Sequence, residues 1–314
     1  MTNKTNPNPV KVSLPKKTNM KFWLQSTRFI VITCFFSLLL VGSCKKETSQ
    51  SGTAEQQQQD ASIVSSESDA EAEIVFNDVF DDAMGVNDEV GLEGVGTLNR
   101  LNPCYTITIT HSNSPAIFPV RIVIDFGTTG CRGLDGHVRR GKIITEYTGR
   151  LIVASSVAYT RFDGFYVDTI KVEGIHKIAN TSTSSITRQF TVDVIDARLT
   201  KPSGNYVEWS NHKVITQIEG LSTLYAFDDI FRIEGTANGK VKRGTLLVSW
   251  ESKIIEPLIK KYNCRWIVKG TVKNIRTNTS ATGPYVTVLD FGNGTCDNVA
   301  VITINGLSRQ ITLR

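Results

Sequence analysis

The sequence predicts a mainly β protein of antiparallel sheets, arranged either as a sandwich or as one extended multi-hairpin sheet. Beyond Asn102 the chain contains runs in which Thr, Val and Ile alternate with polar residues, as at 105–110 and 299–304. Such alternation is typical of strands with one buried face, and β-branched residues favour strands. No long helical pattern interrupts these runs. Residues 102–314 are therefore predicted to form the β-rich domain.

Dipeptides that contain glycine mark the expected hairpins. Asn305-Gly306 stands between two strand-like runs, and type I′ turns need positive φ at both central residues, which Asn-Gly adopts at little cost. Asp163-Gly164 and Asn238-Gly239 predict two further hairpins for the same reason.

The first 43 residues are predicted to be a signal peptide. Six basic residues and no acid precede a 13-residue apolar run, Phe29–Val41, which is the pattern of a secretory signal. A membrane-spanning helix needs about 20 apolar residues, so a permanent span is the weaker interpretation. Val41-Gly42-Ser43-Cys44 resembles the lipobox of bacterial lipoproteins. That resemblance implies cleavage between Ser43 and Cys44 and lipid on Cys44, with either Met1 or Met20 as the start.

Two segments are expected to separate the lipid from the β-rich domain. Residues 44–70 are polar and lack aromatic side chains, so we interpret them as a flexible tether. In 71–101, apolar residues recur at helical spacing among acids up to Met84, and a Gly-rich stretch follows. This pattern predicts a short amphipathic acidic helix and a linker. The helix is expected either to dock on the β-rich domain or to recognise a partner.

Charge is unevenly distributed along the chain. Between Glu47 and Asn99 there are 13 acids and no base, whereas Arg100–Arg314 holds 27 bases and 17 acids. A basic domain could favour anionic partners, such as lipopolysaccharide, acidic glycans or its own acidic segment, although a solvated surface is the favoured interpretation. Nucleic acid is not an expected partner, because the bases are dispersed and the signal directs the chain out of the cytoplasm.

Four cysteines beyond Cys44 predict two disulfides. Cysteines in an exported chain are expected to pair, and none of these four stands in a metal-binding CxxC motif. Segments 102–150 and 262–314 resemble each other, since in each a cysteine opens one strand and Asp-Phe-Gly followed by a second cysteine ends the next. The repeat predicts the pairs Cys104–Cys131 and Cys264–Cys296.

The two Asp-Phe-Gly triplets are assigned structural roles in turns. Asp125 and Asp290 are expected to bond to turn backbone, while Gly127 and Gly292 adopt positive φ. Calcium binding by these carboxylates is the alternative, although it requires further acids nearby.

No catalytic residue, metal ligand or cofactor site is predicted. The histidines at 111, 137, 176 and 212 have no ligand spacing, and no Gly-x-Ser-x-Gly motif is present. Paired carboxylates for glycoside hydrolysis depend on separation in space, and Asp228-Asp229 is the one adjacent acid pair of the β-rich region. Trp209, Trp250, Trp266 and Tyr206 form either a sugar-stacking platform or part of the core.

The whole layout resembles uncharacterised lipoproteins of the Bacteroidota type. The resemblance lies in the Ser-Cys-Lys-Lys edge at 43–46, the three-part organisation and the Asp-Phe-Gly-Asn-Gly-Thr-Cys-Asp-Asn segment at 290–298. It implies a cell-envelope location and no particular activity. Lys45, which follows the lipidated cysteine in place of Asp, favours export to the outer membrane, on either the periplasmic or the surface face. The expected function is binding or scaffolding without catalysis, with an envelope glycan or protein as partner. The alternatives are a glycan-active enzyme that uses dispersed carboxylates, or an accessory subunit of an outer-membrane complex.

Overall fold

The computed structural model describes residues 54–89, 104–113, 116–133, 135–184, 186–223, 226–278 and 285–313. Within these ranges one long helix accompanies a single 14-stranded antiparallel sheet, so the predicted mainly β, antiparallel class is confirmed. Of the two arrangements expected, the sheet is the extended multi-hairpin one. The predicted signal peptide, Cys44 and the Gly-rich stretch lie outside the described residues.

The helix α1 spans Ala54–Glu89. The first seven strands are β1 (Thr106–His111), β2 (Val120–Asp125), β3 (Cys131–Arg132), β4 (Val138–Tyr147), β5 (Val157–Val167), β6 (Ile170–Asn180) and β7 (Arg188–Thr200). The second seven are β8 (Tyr206–Glu219), β9 (Ile230–Arg243), β10 (Leu246–Lys261), β11 (Ile267–Arg276), β12 (Val286–Asn293), β13 (Val299–Ile304) and β14 (Leu307–Thr312). A short 3₁₀ turn, Ala226–Asp228, lies between β8 and β9.

The strands follow one another as a meander. Their order in the sheet is the order in the chain from β1 to β14, except that the two-residue β3 pairs with β4 beside the main path. Alternating burial along β13 shows why these sequences form strands, since every second side chain enters the core. Asn305 and Gly306 have φ of 50° and 78° between β13 and β14, so this predicted hairpin is confirmed.

The other two hairpin predictions are wrong. Asp163-Gly164 lies inside β5, where Gly164 faces Gly141 so closely that a Cβ on Gly141 would lie 2.0 Å from the Gly164 carbonyl oxygen. Asn238-Gly239 lies inside β9, and a Cβ on Gly239 would lie 2.4 Å from Cζ2 of Trp250. Gly239 therefore provides space for the indole of Trp250, whereas Gly164 has a positive φ of 54° at an irregular part of the β5–β6 pairing. A search for turn dipeptides cannot distinguish either case from a turn.

Bulges and contacts across the sheet show that it curls. At Gly174 the register between β6 and β7 shifts, φ is +121°, and a Cβ would lie 2.6 Å from Ala197 Cα. Bulges of this kind bend strands and increase twist. Arg265, after β10, contacts the ring of His137, before β4. These strands are six positions apart, about 29 Å in a flat sheet. The sheet therefore curves around α1.

The helix differs from the predicted tether and short helix. It is one 36-residue element, so the prediction of a flexible tether is wrong for residues 54–70. Side chains from Ala61 to Gly85 are mostly buried on every side of the helix, the polar ones included. Ser65 Oγ donates to Asn274 Oδ1 at 3.2 Å, and Ser66 bonds to Thr287. Because the sheet satisfies these polar groups, burial needs no apolar stripe on the helix.

Aromatic side chains attach the apolar half of the helix to the sheet. Phe76 stacks on Trp209 with ring centroids 5.7 Å apart and meets Phe162 edge-on at 6.2 Å. Phe80 makes edge-to-face contacts with Phe190 and Phe231. These rings come from four strands on the concave face of the sheet, so the core lies between that face and α1. Of the two roles expected for the acidic helix, it takes the one of packing on the β-rich domain.

Candidate functional site

Both predicted disulfides are present. Cys104 pairs with Cys131 and Cys264 with Cys296, with Cα–Cα distances of 5.4 and 5.8 Å. Each bond ties the start of one strand segment to the loop beyond a neighbouring strand, as the internal repeat predicts. The four cysteines are thereby engaged with one another.

The Asp-Phe-Gly triplets adopt the predicted turn geometry. Asp125 Oδ1 accepts a hydrogen bond from Gly127 N at 2.9 Å, and Asp290 Oδ1 accepts one from Gly292 N at 2.8 Å. Both glycines have positive φ, 70° and 92°. The part of the chain that the structure describes contains no cluster of three or more His, Cys, Asp or Glu able to hold a metal ion.

The four histidines occupy separate settings. His111 Nδ1 lies 2.8 Å from the Ile117 carbonyl, while His137 and His212 contact Asp168 and Asp193 at 2.6 Å each. His176 is buried under Phe76, and burial lowers its pKa to about 3. His176 is 1% exposed and is therefore a core residue. Neither of its ring nitrogens has a hydrogen-bond partner among the residues that the structure describes.

Two of the predicted platform residues lie in the core. Trp209 and Trp250 are almost completely buried, and the indole N–H of each donates to Asp69 Oδ1, at 2.8 and 3.1 Å. The sugar-stacking interpretation is therefore wrong for these two residues. Trp266 is half-buried against the core, and Tyr206 alone of the four lines a cleft.

The adjacent acids Asp228 and Asp229 separate into different environments. Asp228 Oδ1 accepts a hydrogen bond from Thr223 at 2.9 Å at the surface. Asp229 is 3% exposed, and its Oδ1 accepts a hydrogen bond from Gln217 Nε2 at 2.6 Å. Burial raises the pKa of Asp229 to about 7, Arg188 opposes the shift, and Asp228 adds to it. The two adjacent acids therefore lie in different environments, one exposed and one enclosed.

Charged side chains join the helix to two distant parts of the sheet. Asp78 on α1 accepts hydrogen bonds from Arg265 Nε and Nη2 at 3.2 and 3.1 Å, and Arg139 lies 3.7 Å from the same carboxylate. Arg139 also donates to both oxygens of Asp135, at 3.1 and 2.7 Å. Arg139 belongs to β4 and Arg265 to the turn after β10. The network therefore helps to hold the curled sheet closed over the helix.

A cleft of about 760 Å³ opens between the ends of β8 and β9 and the strand β14, with α1 along its floor. Its volume falls in the range of ligand sites, about 300–1,000 Å³. Four cations and two acids line it: Lys201, Lys242, Arg243, Arg309, Glu67 and Glu71. The cations of this cleft were not predicted from the sequence as a site. Its one sequence signal is the excess of bases over acids after Arg100.

The acids of the cleft are engaged by cations. Lys201 Nζ lies 2.8 Å from Glu71, and Arg243 Nη1 lies 3.4 Å from Glu67. Lys242 and Arg309 are exposed, and no carboxylate of the described residues lies within ion-pair distance of either. The cleft therefore presents unpaired positive charge to a ligand.

The chemistry of the cleft suits the binding of anions. The described residues that line it include no histidine or cysteine, and both carboxylates belong to ion pairs. Asn205, Gln310 and Thr312 add hydrogen-bonding groups beside the cations. Arg and Lys placed in this way bind carboxylate or phosphate oxygens.

The chain was also compared with known proteins. No protein-family model matches it, and neither a curated protein nor a solved structure is significantly similar to it. Within the described residues, α1 is not apolar enough to cross a membrane.

Proposed function

We propose that this is a lipid-anchored envelope protein whose β-rich domain binds an anionic ligand in the cleft between β8, β9 and β14, without catalysis. The observation that carries the proposal is the pair Lys242 and Arg309, two exposed cations of one cleft that have no carboxylate partner among the described residues. Hydrogen bonds to charged groups contribute roughly 1.5–3 kcal/mol each, enough for these two side chains to dominate recognition.

The proposed anchor is lipid on Cys44. The motif Val41-Gly42-Ser43-Cys44 supports it, together with the basic and apolar segments before it. The other four cysteines of the mature chain form two disulfides, which is consistent with a separate role for Cys44. The proposed location is the outer membrane, and the proposed partner is an anionic envelope component.

Ligand binding is tested by calorimetric titration of the detergent-purified full chain. Two probes are used: trigalacturonic acid and a ten-residue peptide of alternating Glu and Thr. At least one probe is expected to bind, and the double variant Lys242→Gln/Arg309→Gln is expected to weaken that binding at least tenfold. Binding should also weaken with added salt, because exposed charges are screened.

A matched control distinguishes the cleft from general positive charge. Arg121 on β2 and Lys253 on β10 are exposed cations outside the cleft. The double variant Arg121→Gln/Lys253→Gln removes the same charge and should leave binding unchanged. If both double variants weaken binding equally, the cleft is not the site. If neither probe binds, the proposal is wrong.

The anchor has its own test. The variant Cys44→Ala is expected to appear in the soluble fraction and to incorporate no labelled palmitate, whereas the unchanged chain should partition with membranes. Stable anchoring needs more than one acyl chain. Because the proposed lipid anchor is attached at Cys44, the variant has no site for these chains and loses the anchor. Labelling of Cys44→Ala to the normal level would contradict the assignment.

A further inference from the structure

We propose that the ligand of the cleft is an extended acidic peptide segment of a partner protein, which adds a strand to the free edge of β14. This inference rests on the proposed binding role of the cleft and specifies its occupant. It follows from the way in which β14 borders the cleft, from the direction of its backbone groups, and from the charge opposite them.

The edge of β14, not one of its faces, lines the cleft. Five consecutive residues, Arg309 to Leu313, border the cleft. Successive side chains of a strand point to opposite faces of a sheet, so one face can present only alternate residues. Ile311 and Leu313 point into the core, whereas Gln310 and Thr312 are exposed. A cavity bordered by both sets lies along the strand's edge.

That edge carries unpaired backbone groups. Among the described strands β14 pairs with β13 alone, and the two are joined by a two-residue turn flanked by the pair Ile304–Leu307. In an antiparallel ladder, hydrogen-bonded and non-hydrogen-bonded pairs alternate away from such a turn. Gln310 and Thr312 fall in the non-hydrogen-bonded class. Their N–H and C=O groups therefore point away from β13, toward the cleft.

The backbone hydrogen bond of the next residue, Leu313, supports this assignment. Leu313 N donates to the Asn298 carbonyl at 2.7 Å, on the β13 side of the strand. Backbone groups of successive residues point alternately toward and away from the paired strand, so the N–H and C=O of Thr312 point away from β13. An unpaired row of this kind is a template for another extended chain, and strand addition is an established mode of peptide recognition.

Charge selects an acidic segment. Lys242 and Arg243 at the end of β9, with Lys201, form the opposite side of the cleft. An extended chain paired with β14 would point its side chains alternately toward the two faces of the sheet. Arg309 lies on β14 itself and adds a cation on that side of the cleft. Six residues along β14 span about 20 Å, so a short acidic strand matches the length of the edge.

A backbone-modified probe provides the decisive test. The peptide of alternating Glu and Thr is compared, by calorimetry on the full chain, with the same peptide N-methylated at its six central residues. N-methylation removes the N–H donors and leaves the charge unchanged. The unmodified peptide is expected to bind at least tenfold more tightly. Its binding should also slow amide hydrogen exchange at Gln310 and Thr312.

A proline variant tests the same edge from the protein side. Proline is tolerated on an edge strand where the N–H faces outward. Gln310→Pro should fold, as judged by circular dichroism, and weaken peptide binding at least tenfold. The matched control is Ile109→Pro on β1, the opposite edge of the sheet, where the bond from Ser112 N to the Pro119 carbonyl places the Ile109 N–H outward. Ile109→Pro should leave binding unchanged.

The outcomes separate this inference from the proposed function. If the two peptides bind equally, or if trigalacturonic acid binds as tightly as the unmodified peptide, strand addition is wrong and the anionic cleft stands. If neither peptide nor saccharide binds, both proposals fail. Should Gln310→Pro fail to fold, the comparison of the two peptides on the unchanged chain still decides between these results.

Discussion

Lys213 of β8 and Glu73 of α1 form an ion pair inside the protein. The Lys213 ammonium contacts the Glu73 carboxylate, and the two residues are 4% and 8% exposed. About half of the β-rich domain lies between them in the sequence, so the contact exists only because the sheet curves over the helix. It illustrates how α1 is held: its charged and polar side chains find partners on strands that lie far along the chain.

Removing one member of this pair should be costly. Glu73→Gln leaves the Lys213 ammonium buried without its counter-charge, and breaking a buried pair costs roughly 3–5 kcal/mol. The expected result is a decrease of that size in the free energy of unfolding, measured by urea denaturation. Glu73→Gln/Lys213→Met should recover much of the loss, because no unpaired charge remains. An equally unstable double variant would contradict the ion-pair explanation.

The shared acceptor Asp69 should be essential for the core around the indoles. Asp69→Ala leaves two buried N–H donors, of Trp209 and Trp250, without a partner. Each unsatisfied donor costs about 1–3 kcal/mol, so a loss of roughly 2–6 kcal/mol is expected in urea unfolding. Trp250→Phe removes one of these N–H donors, so no acceptor is needed at that position. A double-mutant cycle with Asp69→Ala should therefore show strong coupling between the two sites, and additive effects would count against the shared bond.

Gly239 should tolerate no side chain while Trp250 is present. A Cβ at Gly239 would lie 2.4 Å from Trp250 Cζ2, so Gly239→Ala must displace the indole. Overpacking of this kind costs about 1–3 kcal/mol. The smaller ring of Trp250→Phe should reduce the penalty of Gly239→Ala in thermal or urea unfolding. The same penalty in both backgrounds would show that the indole is not the cause.

Asp229 should make stability depend on pH. Its pKa is raised from 3.8 to about 7, because burial disfavours the carboxylate. The folded state therefore binds the proton more tightly than the unfolded state, and stability falls as pH rises between these two values. Asp229→Asn removes this titration. The variant's free energy of unfolding should exceed that of the unchanged chain most at pH 8, and the difference should shrink toward pH 4.

His176 gives a trend of opposite sign in the same measurement. Burial lowers its pKa from 6.5 to about 3, so the unfolded state binds the proton more tightly. Stability from this residue is complete above pH 6.5 and decreases as pH falls toward 3. His176→Phe should flatten this acid branch and leave the Asp229 branch intact. An unchanged acid branch in His176→Phe would assign the loss to other groups.

Strand class and turns were predictable where the signal is local. Asn305-Gly306 forms its hairpin because both residues adopt positive φ between alternating strands. Asn238-Gly239 carries the same dipeptide inside a strand, where the requirement for glycine comes from Trp250. The two dipeptides are identical in sequence, and only the packing partner distinguishes them.

The helix and the cleft were the parts that sequence patterns misjudged. Residues 54–70 look like a tether because their serines, glutamines and acids form no apolar stripe. They fold into α1 because Asn274, Thr287 and other sheet residues satisfy their polar groups. Similarly, no sequence pattern distinguishes Lys242 and Arg309. They form one candidate site only because β9 and β14 border the same cleft.

The sequence alone therefore determined the antiparallel β class, the hairpin at Asn305 and, through an internal repeat, the two disulfides. Each depends on backbone preferences or spacing within a short stretch of chain. The tertiary structure decided that the helix is buried on all sides between Ala61 and Gly85, that two tryptophans share Asp69, and that four cations gather beside the free edge of β14. Burial of a polar group is stable only when its partner is in place, and these partners are supplied by strands that are distant in sequence.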